Sequence, residues 1–230
     1  MASDKEASKK ATMTYLATLP TGFVADALGK MNLMHQGTIG IYPIRGFEDA
    51  HIAGPVVTIK FAPVRATGVR KPLSFFEVIK NFKPGTVICT QAGEYMTFTG
   101  DIQTYMAKQA GIVGMILDGS PRDLAGLRSV GLPIWSKRPA TRLMSSLWEL
   151  SGFNVPIELG GVQTHPGDFV VADEDGAVIV PQEVLEQTAE LAHFVAEIEE
   201  ELEKATKGGA SLDEVAAIYA RKGAKVPIKH

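Results

Sequence analysis

The sequence predicts one α/β domain with helical ends. Three observations carry that reading. Between residues 73 and 136, short apolar stretches alternate with amphipathic ones in the order helix, strand, helix, strand, helix, strand. That alternation is the pattern of parallel βαβ units with helical cover. After Val155 the texture changes: VPIEL, DFVVAD and AVIVP are short apolar segments split by Gly, Pro and Asp, which suits an antiparallel portion. Last, residues 182–207 form a long charged stretch in which Leu185, Ala189, Ala192, Val195 and Ile198 trace one apolar stripe. A helix with such a stripe packs on one side only.

The elements follow in order. Residues 1–12 are polar and are expected to be a flexible N-terminus; 13–208 form the domain body, and 209–230 a C-terminal helix and tail. LPTGFVADALGKM (19–31) reads as a short helix with Thr21 as N-cap. GPVVTIKF (54–61) is a β-branched strand. LSFFEVIKNF (73–82) is a helix in which Ser74 and Glu77 have capping-box spacing. GTVICT (85–90) is a strand, and GDIQTYMAKQAG (100–111) a helix that ends on Gly111. IVGMILD (112–118) is a strand, RDLAGLRSVG (122–131) a helix and LPIWS (132–136) a strand. The last helix opens at Ser211, with Glu214 as its capping-box partner.

Composition narrows the function. The chain has 230 residues, 45% hydrophobic and 21% charged, with a formal net charge of −3. Without a basic excess, nucleic acid is not an expected partner. The single cysteine, Cys89, excludes an intrachain disulfide framework and reads as a small core hydrophobe. The N-terminus has no apolar run of the secretory type, and no stretch approaches the length of a membrane span. A cytoplasmic protein without membrane contact is therefore expected. His35, His51, His165, His193 and His230 are scattered with no metal-binding spacing, so zinc is not expected. THPGD, around His165, reads as a structural turn. Lys60, Lys108 and Lys137 lie outside the motif described next, which argues against imine chemistry.

The segment MILDGSPRDLAGLR, residues 115–128, carries the chemistry. An apolar strand ends in Asp118 and turns on Gly119, and Arg122 and Asp123 open the following helix. In an open parallel sheet, ligands bind beyond the carboxyl ends of the strands. An Asp at a helix start has a plain explanation, because it caps free N–H groups and suits the helix dipole. An Arg there opposes the dipole. It pairs with Asp118 or Asp123, or holds an anionic ligand through its fork. One βα unit earlier, Gly100 and Asp101 open another helix whose free N–H groups suit a carboxylate or phosphate. Neighbouring parallel strands are about 4.8 Å apart, so both turns can share one cleft. Two carboxylates, a guanidinium and a helix N-terminus there suit a hard divalent cation with an anionic substrate.

GDIQTYMAKQAGIVGMILDGSPRDLAGLRSVGLPIWSK resembles the core motif of the class II pyruvate aldolases, which cleave 4-hydroxy-4-methyl-2-oxoglutarate and 4-carboxy-4-hydroxy-2-oxoadipate. That family also contains the RraA-type proteins. Gly100 precedes Arg122 at the family's spacing, and PGDFVVADEDGAVIVP matches its downstream signature. The resemblance runs from about residue 24 to 203. It implies a swivelling β/β/α (RraA-like) single domain, assembled as a homotrimer or homohexamer, that uses Mg²⁺ or Mn²⁺. It implies that Asp123 holds the metal and that Arg122 contacts a small 2-oxo acid substrate and its enolate. Asp101 would sit in the metal's water network, and the N–H groups of Ile102 and Gln103, after Gly100, would receive the substrate carboxylate. A Glu of a neighbouring subunit would complete the network; Glu197, Glu199 and Glu200 are the candidates.

At Gly126, three residues after the motif Asp, this chain departs from many aldolase-type members, which carry an acidic residue there. The implied activity is C–C cleavage of a 4-hydroxy-2-oxo acid to release pyruvate, with oxaloacetate decarboxylation through the same enolate. The alternative is an RraA-type binding protein that regulates an RNA-processing enzyme without catalysis. A methyltransferase reading finds no glycine-rich nucleoside loop. Phe75, Phe76, Tyr95 and Phe98 either line a distal pocket or belong to the core.

Overall fold

The computed structural model describes residues 2–64, 74–93, 97–142 and 148–223. The elements are α1 (Ala2–Leu16), α2 (Thr21–Lys30), β1 (Tyr42–Pro43), β2 (Ile52–Pro63), α3 (Phe75–Val78), β3 (Val87–Gln91), β4 (Thr97–Thr99), α4 (Asp101–Gln109), β5 (Gly114–Asp118), β6 (Ser120–Pro121), α5 (Leu124–Val130), β7 (Ile134–Ser136), β8 (Trp148–Phe153), β9 (Ile157–Leu159), β10 (Val162–Thr164), β11 (Phe169–Asp173), β12 (Gly176–Val180), α6 (Leu185–Lys207) and α7 (Leu212–Lys222). Residues 2–12, marked by their polarity as a flexible end, have helical backbone within α1.

β2, β3, β5 and β7 lie side by side and parallel, as the alternation between residues 73 and 136 requires. β1 flanks β7 antiparallel. On the other side β11 pairs antiparallel with both β2 and β12, so the change of texture after Val155 does mark an antiparallel portion. β8 also pairs antiparallel with β2, and β9 and β10 form a separate hairpin.

β5 is buried at every residue, which is why its sequence shows no polar alternation. Met115 and Leu117 pack with Ile88, Ile134, Ala107 and Leu127 on the side of α4 and α5. Ile116 faces the other way, with Cys89, Trp135 and Val170. Burying a side chain of this size contributes about 1.5–3 kcal/mol. A third cluster joins α1, α2 and α6 to β11 and β12 through Leu16, Leu28, Ala192, Val171 and Val180. The stripe read along α6 is buried at Leu185, Ala192, Val195 and Ile198. Phe75 is a core residue, whereas Phe76 is exposed. Tyr95 and the Phe98 side chain lie outside the described residues. Burial pushes the Cys89 thiol far above its usual range, which makes it inert.

Two caps differ in kind. α7 opens as its sequence requires: Glu214 N donates to Ser211 Oγ at 3.3 Å, and Glu214 Oε2 accepts from Ser211 N at 2.8 Å. For α2 the expected N-cap shifts by one residue. Pro20 precedes the helix and Thr21 is its first residue. The acceptor comes from β11 instead: Asp173 takes the Thr21 N–H and the Thr21 hydroxyl, each at 2.8 Å. A carboxylate satisfies the first-turn donor and suits the positive helix end better than a neutral hydroxyl does.

The THPGD turn is structural, as read. Asp168 accepts from His165 N at 2.7 Å and Gln182 N at 3.2 Å. Burial pushes its carboxyl above the usual range, and those two donors oppose the shift.

Asp173→Ala should lower the unfolding free energy by about 1–2 kcal/mol, the cost of a lost helix cap. Urea denaturation checks this; an unchanged midpoint and slope would contradict the assignment.

Candidate active site

Two short strands draw the predicted turns together. β4 pairs parallel with β6, with Thr97 beside Ser120 and Thr99 beside Pro121. Arg122 N then donates to Thr99 O at 3.1 Å. The turn that opens α4 and the turn that opens α5 are thereby fastened to each other. The cleft expected from strand spacing alone is realised through this contact.

Asp123 stands at the start of α5, but it does not cap it. Its backbone is left-handed, with φ 57° and ψ 41°, and its side chain makes no capping hydrogen bond. Asp tolerates that region better than most residues, at a cost of order 1 kcal/mol. Its carboxylate meets Arg122 instead, Nε to Oδ2 at 3.3 Å. Both side chains are nearly half exposed, at 43% and 47%. An ion pair that exposed contributes little to stability. The strained backbone and the unused capping role therefore leave the carboxylate to be explained by what it can bind.

Gly100 leaves the space that Asp123 uses. A Cβ at residue 100 would lie 2.7 Å from Asp123 Oδ2. Asp101, the first residue of α4, turns its carboxylate back on its own helix, and Ile102 N donates to Asp101 Oδ1 at 2.8 Å. Gln103 follows in the same turn, which Thr104 closes by donating from N and Oγ1 to Gly100 O. Gly100, Asp101, Ile102, Gln103, Arg122 and Asp123 thus share one end of the molecule. A groove of about 470 Å³ leads away from it between α4 and α5, past Asp101, Gly126, Tyr105 and Ser129.

Asp118 does not pair with Arg122. Its partner is Lys137, at 2.6 Å. The other carboxylate oxygen accepts from Gly160 N at 2.7 Å. Lys137 also donates its backbone N–H to Gly119 O at 3.3 Å. Lys137 therefore stands against the motif rather than apart from it, a correction to its sequence placement. The sequence set Lys137, one residue past β7, outside the motif and offered Asp118 to Arg122; the two pair with each other instead.

The acidic candidates on α6 all have ion-pair partners within this chain. Glu197 faces His193 at 3.5 Å and Glu200 faces Lys204 at 2.5 Å. Glu199 is held by Lys222 of α7 at 2.5 Å, and the same ammonium meets Asp26 of α2 at 2.5 Å. Burial alone would lower the Lys222 pKa; the two carboxylates outweigh it and raise the value. His51, His165 and His193 serve structural contacts through Ala17 O, Asp168 and Tyr15 respectively. His230 lies outside the described residues.

Among the described residues, no group of three His, Cys, Asp or Glu side chains is arranged to hold a metal ion. A closed structural zinc site is thus not present there. A pair of carboxylates with open space suits Mg²⁺ or Mn²⁺, which keep several waters and use one or two carboxylates plus the substrate. Asp123, half exposed and not spent on capping its helix, is the carboxylate suited to that role.

The geometry and the comparisons agree on class. Residues 21–179 match the family model RraA-like, Aldolase/RraA, and the chain belongs to that family. Among individual relatives is a protein of Halalkalibacterium halodurans provisionally named 4-hydroxy-4-methyl-2-oxoglutarate aldolase. It is 34% identical over 173 residues, which span 74% of this chain and 76% of that one. A crystal structure of an uncharacterised Pseudomonas syringae protein superposes with a TM-score of 0.78 at 25% identity, covering 90% of this chain and 97% of that one. RraAS2 of Streptomyces coelicolor, described as an unusual member of the RNase ES inhibitor RraA family, superposes with a TM-score of 0.75 at 27% identity, covering 83% and 94%. The fold is the RraA-like α/β fold that the motif implies. Among the described residues, no helix is long and apolar enough to cross a membrane.

Lys137→Met should destabilise the protein by about 2–4 kcal/mol, because it leaves the nearly buried Asp118 charge unpaired. Adding Asp118→Asn should recover part of that loss. Denaturation of both variants checks this; additive losses would contradict the pairing.

Proposed function

We propose that the protein is a divalent-metal-dependent lyase. It cleaves the C3–C4 bond of a 4-hydroxy-2-oxo acid to release pyruvate, and it decarboxylates oxaloacetate through the same enolate. The observation that carries this is Asp123: backbone-strained, half exposed, not capping its helix, and paired with Arg122 beside the gap at Gly100. The aldolase name of the Halalkalibacterium relative supports the reading.

Mg²⁺ or Mn²⁺, held at Asp123 with waters shared by Asp101, would supply the positive charge that stabilises negative charge on the substrate's C2 oxygen. The Arg122 guanidinium binds the same end of the substrate and adds a second, fixed positive charge. The N–H of Gln103, in the first turn of α4, orients the substrate carboxylate, joined by that of Ile102 when Asp101 gives up its hold on it at 2.8 Å. Asp101, directly or through a water, accepts the C4-hydroxyl proton. As that proton leaves, its electron pair forms a C4=O bond, the C3–C4 bond breaks with its pair passing to C3 and the C2 oxygen, and the C4 fragment departs as a carbonyl compound, leaving the enolate. Protonation at C3 then yields pyruvate. Oxaloacetate loses CO₂ to the same enolate without needing a base. Asp101 therefore serves the cleavage more than the decarboxylation.

The exposed Ile102 and Tyr105 on α4 support a self-associated form. We take it to be a homotrimer or homohexamer, in which a Glu of a neighbouring α6 completes the water network. We take the protein to be cytoplasmic and to act without a nucleic-acid partner, for which a net charge of −3 offers no basic excess. The likeness to RraAS2 favours a second reading, a non-catalytic regulator of a ribonuclease. Recovery of a ribonuclease on the immobilised protein, without lyase activity, would support it.

Purified protein with Mn²⁺ or Mg²⁺ should decarboxylate oxaloacetate, and EDTA should abolish the activity. Arg122→Ala should lower kcat/KM by about 10²–10³-fold, the scale of a lost charge-stabilising donor. Turnover that survives EDTA, or an Arg122→Ala variant as active as the parent, contradicts the mechanism.

A further inference from the structure

The groove between α4 and α5 starts at Asp101 and runs to a cation. Its volume of about 470 Å³ is in the range of small-molecule sites. Ile102, Tyr105 and Val130 give it apolar walls, and Ser129 adds a hydroxyl. Among the described residues of its lining, Asp101 and Lys108 are the two that carry charge. Asp101 is the first residue of α4. Lys108 follows two turns later, about 10 Å along the helix axis. Its ammonium lies against the end of α5 and donates to Val130 O at 2.5 Å. That bond uses one of its three N–H donors. A lysine in this place also suits the negative ends of both helices. Helix-end stabilisation explains the lysine, but not a groove that leads to it from the proposed proton acceptor.

We infer that this groove holds the C4 substituent of the substrate, and that Lys108 selects a substituent ending in a carboxylate. The inference rests on the lyase reading, in which Asp101 takes the C4-hydroxyl proton. A hydroxyl placed at Asp101 leaves the other groups on C4 beside the same residue, at the mouth of the groove. The length of the substituent follows from the helix. A separation of about 10 Å, less a hydrogen bond of about 3 Å, leaves about 7 Å. That is the span of about six carbon–carbon bonds in an extended chain. The distal carboxylate of 4-hydroxy-4-methyl-2-oxoglutarate is attached directly to C4 and does not reach. The substrate that fits is a 4-hydroxy-2-oxo acid with an apolar chain tipped by a carboxylate. Its second product is an aldehyde acid. Ile102 and Tyr105 are exposed, so a neighbouring copy that rests on them roofs the groove and leaves its interior to the substrate.

The test measures pyruvate release, with Mn²⁺, from two acids of equal length. 4-Hydroxy-2-oxodecanedioate carries the terminal carboxylate, and 4-hydroxy-2-oxodecanoate ends in a methyl group. Oxaloacetate, which has no such chain, is assayed beside them. The wild type should prefer the decanedioate about tenfold in kcat/KM, chiefly through KM, the scale of one hydrogen bond to a charged group. Added salt should shrink that preference. Lys108→Arg should keep it, Lys108→Met should abolish it, and Lys108→Glu should reverse it in favour of the decanoate. A lysine that served only the helix ends would change both acids alike and leave their ratio untouched. The inference is overturned by a wild type that does not distinguish the two acids, by a Lys108→Met variant that still does, or by a crystal structure in which a neighbouring copy fills the groove. A wild type that decarboxylates oxaloacetate but cleaves neither long acid overturns it and leaves the lyase reading standing. A wild type inactive on all three overturns both.

Discussion

The backbone hydrogen bond from Arg122 N to Thr99 O, at 3.1 Å, is the contact on which the candidate site depends. Without it, Gly100–Asp101 and Arg122–Asp123 would sit on two separate loops, each following its own parallel strand. Parallel pairing of β4 with β6 fixes their relative height and brings two helix starts together. The Arg122 guanidinium thus starts from a fixed backbone position and is held by Asp123 at 3.3 Å. That is the condition under which a fixed guanidinium stabilises developing charge without reorganising. The pair between buried Asp118 and the partly exposed Lys137 supports the same turn by tying it to the residue that follows β7, while Asp118 also holds Gly160 N.

Space is the second constraint. Each acidic residue of the cleft lies where a glycine lacks a side chain, Asp123 at Gly100 and Asp101 at Gly126. The fold accepts two local costs to keep this arrangement: a left-handed Asp123 and a glycine inside a seven-residue helix. Neither cost is repaid in packing or capping. A site that keeps uncompensated strain together with half-exposed charge is arranged for a ligand, and the charges present suit an anion and a hard cation.

Much of this was legible in the residues because it is local. Strand β5 shows as a continuous apolar run, Gly111 marks the end of α4, and Ser211 with Glu214 opens α7. The sharing of one cleft by Asp101 and Arg122 followed from strand spacing. What stayed hidden is non-local or too short to have a period. β4 and β6 are three and two residues long, so alternation cannot reveal them. The α2 cap comes from Asp173, far along the chain from Thr21, where a local Thr cap was the natural expectation. Gly126 looks like any helix glycine until α4 is laid across it. Glu199 looks free on a charged helix, yet α7 folds back to place Lys222 against it.

The central claim is that Asp123 and Arg122 together face a cation and an enolate-like anion. A crystal structure grown with Mn²⁺ and oxalate, a planar dianion shaped like the enolate of pyruvate, tests it most directly. The account predicts a manganese anomalous peak at the Asp123 carboxylate, with oxalate bound between that peak and the Arg122 guanidinium. Manganese held elsewhere, or oxalate that makes no contact with Arg122, would contradict it.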